Sequence, residues 1–94
     1  MRRIARIDRN QTEIVDLFRQ AGYSVQSLAQ LGNGVPDLLI ARNGVNHLVE
    51  IKDGEKPQSK QQLTADQSEW TWRWKGKVWL VTSKDDAIDM IEQT

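Results

Sequence analysis

Asp37, Glu50 and Lys52 are the residues whose types and spacing could do chemistry. Asn43-Gly44 lies between two apolar runs, which is a strong hairpin signal. If these two residues form the turn, Arg42 faces Val45, and counting back along both strands sets Asp37 opposite Glu50. Directly opposite residues share a sheet face, and Lys52, two residues beyond Glu50, joins that face. Two carboxylates so placed repel each other, and a cation between them relieves the repulsion. Oxygen ligands at this density suit a hard ion, Mg²⁺ or Mn²⁺, that keeps some of its water. Such an ion stabilises charge developing on a phosphoryl group and lowers the pKa of bound water. A nearby lysine can orient that water or balance the phosphate charge. A solvated edge hairpin could carry Glu50 and Lys52 as plain surface charges, and Asp/Glu-x-Lys triplets are common. The cross-strand register is what sets this one apart. A one-residue slip of the turn would put Asp37 and Glu50 on opposite faces.

The elements that must position these residues are legible in order. Ile14, Leu17, Phe18 and Ala21 recur at helical spacing, predicting a helix over 10–21 with Asn10 as its cap and Gly22 at its end. Residues 23–31 alternate roughly and read as a first strand. Gly32-Asn33-Gly34 breaks it, and Pro36 opens the next strand at a permitted position. The hairpin strands cover 37–42 and 45–52. Leu38, Ile40, Val49 and Ile51 fall on one face; Leu39, Ala41 and Leu48 fall on the other, beside the acidic pair. Both faces are substantially apolar, which predicts a sheet covered on both sides. Residues 53–62 are polar, contain Gly54 and Pro57, and form a long loop of the kind that carries function. A second helix is expected over 64–75, with Thr64 and Gln67 as a capping box. A short strand over 78–82 and a final helix capped by Ser83 follow. The order is α-β-β-β-α-β-α.

Pro36-Asp37, twelve intervening residues, and Glu50-Ile51-Lys52 resemble the PD-(D/E)xK nuclease signature. The element order resembles the restriction-endonuclease-like core: an α/β fold, αβββαβ, with a central mixed sheet flanked by helices, here followed by a C-terminal helix. Four segments together resemble the VRR-NUC branch of that superfamily: Asn10-Gln11-Thr12-Glu13, Gly34-Val35-Pro36-Asp37, Glu50-Ile51-Lys52, and Leu63 to Trp70. The resemblance covers nearly the whole chain, so residues 1–94 are expected to form one nuclease domain. It implies that Asp37 and Glu50 ligate Mg²⁺ or Mn²⁺, and that the Ile51 carbonyl adds a ligand. It also implies that Lys52 positions or activates the attacking water, that Glu13 contacts the metal from the first helix, and that Gln67 supports Lys52 or the phosphate. The sequence departs from the family after the Glu-Ile-Lys triplet: Asp53-Gly54-Glu55-Lys56 replaces a Val-Arg-Arg-like basic run. Lys56 and Lys60 are the candidate substitutes for contacting DNA. Glu13, three residues after Asn10, could instead close a capping box, and Gln67 could serve only as the cap partner of Thr64.

Composition bounds the rest. The 94 residues are 38% hydrophobic and 28% charged, an ordinary globular mix for one small domain. There is no cysteine, which excludes disulfides and thiolate metal sites. His47 is the lone histidine; it faces Ile40, away from the acidic pair, and reads as structural, so a zinc site is not expected. No apolar run is long enough to span a membrane, and no signal peptide is expected, which makes an intracellular, cytoplasmic protein the default. Net charge is zero, so charge alone points only weakly to nucleic acid. Its distribution is uneven: Arg2, Arg3, Arg6 and Arg9 crowd one end, and Asp85, Asp86, Asp89 and Glu92 the other. Arg73, Lys75 and Lys77 are further phosphate-contact candidates. Four tryptophans are many for 94 residues. Trp70 and Trp74 share one helix face, Trp72 points elsewhere and Trp79 lies in the last strand. A small core cannot bury them all, and interfaces are rich in Trp, so a homodimer through this helix and strand is expected. Stacking on unpaired bases is the other use such rings could have. Together these features predict a metal-dependent DNA endonuclease, structure-specific on branched DNA such as Holliday junctions. The rival is a non-catalytic module that binds DNA or protein on the same fold.

Overall fold

The computed structural model describes residues 9–94, with Arg9 given by its backbone alone. Arg2, Arg3, Arg6 and the Arg9 side chain therefore lie outside the described residues. Helix α1 (Arg9–Gln20) leads into strand β1 (Ser24–Ser27) and a 3-10 turn (Ala29–Leu31). Strands β2 (Leu38–Arg42) and β3 (Val45–Ile51) follow, then a single helical turn α2 (Gln58–Gln61), helix α3 (Ala65–Arg73), strand β4 (Val78–Val81) and helix α4 (Lys84–Gln93). The four strands form one mixed sheet in the order β1-β2-β3-β4. β1, β2 and β3 pair antiparallel, and β4 joins β3 in parallel after the helical crossover.

The hairpin register is the predicted one. Asn43 and Gly44 both have positive φ, 57° and 79°, as a type I′ turn requires. Arg42 pairs with Val45, Ile40 with His47 and Leu38 with Val49. The next step down both strands brings Asp37 to Glu50. The first strand is shorter than expected. The Ser27 hydroxyl accepts from the Ala29 amide, and the Leu28 amide turns to the Asp37 carbonyl. Alternation therefore ends at Ser27, and the apolar residues beyond it wind into the 3-10 turn. The expected 53–62 loop also contains α2, tied down by the Gln61 amide, which donates to the Gly54 and Lys56 carbonyls.

Alternation sends Leu38, Ile40, Val49, Ile51 and Val81 to one sheet face. There they meet Ile14 and Phe18 of α1 and Ala87 and Met90 of α4. The opposite face carries Leu39, Ala41 and Leu48, which stay half-buried, and Leu80, which is 45% exposed. The sheet is flanked by helices as expected, but the second face is covered only in part, with α3 at the end where Gln67 meets Glu50. α1 and α4 share the core face, and α3 buries no residue of its own. Among the described residues no helix is long and apolar enough to cross a membrane.

Arg42 fastens the core-face helices together. Its guanidinium donates to the Ala21 carbonyl just past α1 and to the Ile91 carbonyl in the last turn of α4, both at 2.9 Å. It also lies over the Tyr23 ring, 4.3 Å from its centroid. A cation at two helix C-termini satisfies orphan carbonyls and complements both dipoles. Arg42→Met should cost about 3 kcal/mol, because it strips charge-assisted bonds from half-buried carbonyls. Urea denaturation checks this; a change below about 0.5 kcal/mol, the ordinary surface value, would show that Arg42 is only a surface cation.

Candidate active site

The end of the β2–β3 hairpin carries the acidic pair. Asp37 immediately precedes β2, and its Oδ2 accepts from the Ile51 amide at 2.8 Å. That bond locks the carboxylate beside Glu50. Glu50 is only 3% exposed. Its Oε2 accepts from Gln67 Nε2 at 2.8 Å and lies 3.6 Å from Lys52 Nζ, while its Oε1 is buried with no hydrogen-bond partner among the described residues. Burial, then the neighbouring Asp37 charge, push the Glu50 carboxyl up to about 7, against the opposing pull of Lys52.

Gln67 connects these groups. Its Oε1 accepts from Lys52 Nζ at 2.8 Å and also from the Thr64 amide at 2.9 Å. The Thr64 hydroxyl in turn accepts from the Gln67 amide, completing a capping box. The two alternatives open in the sequence are therefore both realised by one side chain: Gln67 caps α3 and bridges Lys52 to Glu50. Lys52 is otherwise fixed through its backbone, with its amide donating to the Val81 carbonyl and its carbonyl accepting from Asn10 Nδ2. Asn10 is thus not the expected cap. It lies inside α1 and uses its side chain on the site strand.

Asp37, Glu50, Lys52 and Gln67 line a cleft of about 300 Å³, together with Gln11, Ile51, Asp53, Lys56 and Lys60. Lys56 and Lys60 stand at its edge, on the loop and on α2. Glu13 does not line it. Its carboxylate lies 3.7 Å from Lys84 Nζ at the start of α4. The structure does not bring Glu13 into this cleft: it borders the side of α1 that meets α4. Gln11 reaches the cleft instead. Gln11, Ile14 and Phe18 stand at i, i+3 and i+7, so the apolar face of α1 already pointed Gln11 at the sheet. Among the described residues no three of His, Cys, Asp and Glu gather at one place. His47 stands edge-on to Trp79, with ring centroids 6.3 Å apart, away from the cleft. Burial, then Arg42 and Lys77, hold its pKa below the usual value.

The donor set suits a hard divalent cation. It is all oxygen, it includes an adjacent carboxylate pair, and it contains a buried carboxylate oxygen with nothing bound to it. A mixed sheet whose central hairpin ends in Pro36-Asp37 and Glu50-Ile51-Lys52 defines a restriction-endonuclease-like domain of the PD-(D/E)xK class. A solved structure described as a VRR_NUC domain superposes with a TM-score of 0.71 at 28% identity, covering 89% of this chain and 91% of that one. No family model matches the chain, and no curated protein matches it. Fold, coverage and site motif together support a VRR-NUC domain, a nuclease-type domain.

Proposed function

We propose that the protein is a metal-dependent DNA endonuclease that hydrolyses phosphodiester bonds in the cleft at the end of the β2–β3 hairpin. The observation that carries this reading is the buried Glu50. It is held beside Asp37 and bridged through Gln67 to Lys52, and one of its oxygens has no partner. Asp37, Glu50 and the Ile51 carbonyl would hold Mg²⁺ or Mn²⁺. When bound, the ion would supply Lewis acidity toward the scissile phosphate and acidify coordinated water. The chain's own groups do the rest. Asp37 is oriented by the Ile51 amide, and Glu50 by Gln67. Lys52 Nζ has three protons and gives one to Gln67, so others remain to orient the attacking water or meet the phosphate. Lys56 and Lys60, at the cleft edge, would contact the DNA backbone.

The finer reading is a homodimer acting on branched DNA in the cytoplasm of a bacterial or virus-infected cell. Trp72 is 86% exposed and Trp74 50%. With Leu80 they offer apolar area that a second copy would cover, and two copies would present two clefts to two strands. A four-way junction, a flap and a linear duplex, each incubated with Mg²⁺, test substrate choice; equal rates on all three would remove the structure-specific reading. Calorimetry with Mn²⁺ separates the enzyme from a non-catalytic binding module. The wild type should bind the ion and Asp37→Asn should not, whereas a binding module would respond to neither.

A further inference from the structure

We infer that Gly34 is a positioning residue for this site: the missing side chain lets the first turn of α3 seat Gln67 between Lys52 and Glu50. The inference rests on the nuclease reading for its consequence, but not for its geometry. A Cβ built on Gly34 would lie 2.3 Å from the Asp66 carbonyl oxygen, 2.6 Å from its carbon and 3.1 Å from the Gln67 amide nitrogen. These are backbone atoms of a capped helical turn, so no side-chain rotation relieves the overlap. The turn itself must move.

Among the described residues, little else anchors α3. It buries no residue, and its hydrogen bonds to the site run through Gln67. The helix is therefore located by the Gly34 contact at its start, and Gln67 sits on the turn touched by that contact. Asp37 and Glu50 are held separately, by the Ile51 amide and the strands. Displacing α3 would free the Lys52 ammonium and the Glu50 Oε2 from their common partner while leaving the carboxylate pair assembled. Gly34 thus acts on Lys52 through Gln67 and touches no substrate.

Gly32 supplies the control. It also has positive φ, 61°, yet a Cβ there would meet nothing within 4 Å. Alanine at Gly32 also meets a positive φ, but without the clash. With Mg²⁺, Gly34→Ala should lower single-turnover cleavage about 10²-fold, the cost of misplacing a positioned group by about 1 Å. It should leave Mn²⁺ affinity within about twofold, since Asp37 keeps its bond from the Ile51 amide and Glu50 keeps its place in β3. Gly32→Ala should keep near wild-type rates. Gln67→Ala should match Gly34→Ala, and the double variant should lose little more, as expected for residues acting through one contact. The Gln67 side-chain amide resonances, identified by their disappearance in Gln67→Ala, should shift in Gly34→Ala and stay in place in Gly32→Ala.

Equal losses at Gly32 and Gly34 would overturn the inference, as would additive losses or an unmoved Gln67 amide. Global unfolding of Gly34→Ala would also overturn it, because the proposed effect is confined to α3. If the wild type cut no DNA, the nuclease reading would fall, and the amide spectrum would still decide the placement of Gln67.

Discussion

Lys52→Ala should slow single-turnover DNA cleavage by about 10³-fold, the middle of the range for a positioned proton-transfer or charge-stabilising group. Metal binding should survive. The Lys52 side chain is 15% exposed, and its ammonium stands 3.6 Å from the buried Glu50 carboxylate. Removing it would take away the donor proposed to meet water or phosphate, while both carboxylates stay in the site. Lys52→Arg should recover little, because a planar guanidinium does not fit the Gln67 acceptor as the compact ammonium does. The measurement is a cleavage time course beside a Mn²⁺ titration of the same variant. Wild-type rates in Lys52→Ala would remove Lys52 from the chemistry. Loss of Mn²⁺ binding would mean that it serves the metal site instead.

Glu50→Gln should make the metal-free protein more stable while abolishing cleavage. Burial and the Asp37 charge raise the Glu50 pKa from 4.5 to about 7 in the folded protein. The fold thus favours the protonated acid. The stability associated with that proton is fully present below pH 4.5, falls as pH rises through about 7, and is absent above it. A move from 4.5 to about 7 is worth about 3 kcal/mol. Glu50→Gln keeps the shape without the charge but also loses the pairing with Lys52. The expected gain at pH 8 is therefore about 1–3 kcal/mol, with little difference at pH 4. Saturating Mn²⁺ should stabilise the wild type and leave Glu50→Gln unmoved. Urea denaturation at both pH values, with and without Mn²⁺, tests all of this. A wild type more stable at pH 8 than Glu50→Gln, without metal, would contradict the assigned burial cost.

The two predictions reflect one design. Glu50 is held in a place where its charge is costly, and a cation would remove that cost. Such a strained carboxylate is expected where a metal is to be bound and used.

How much of this the sequence disclosed depends on the kind of signal. Asn43-Gly44 specifies a turn with two positive φ values, so the register between Asp37 and Glu50 followed from counting. The α3 cap was legible because Thr64 and Gln67 have the right spacing. That the same Gln67 amide reaches Lys52 and Glu50 is a tertiary fact no local pattern encodes. The exchange of Glu13 for Gln11 has a plain cause. Charge drew attention to Glu13, but the helical face that meets the sheet runs through Gln11, Ile14 and Phe18, and Lys84 stands near Glu13 from α4. The half-open second sheet face was hidden because Leu39, Ala41 and Leu48 read as apolar whichever element covers them.

The most direct measurement is single-turnover cleavage of end-labelled branched and linear DNA by the wild type and Asp37→Asn across a Mg²⁺ titration, closed with a chelator. The account predicts a wild-type rate that rises with Mg²⁺ and vanishes on chelation, and no cleavage by Asp37→Asn at any concentration. Cleavage that persists in chelator, or an Asp37→Asn variant as active as the wild type, would contradict it.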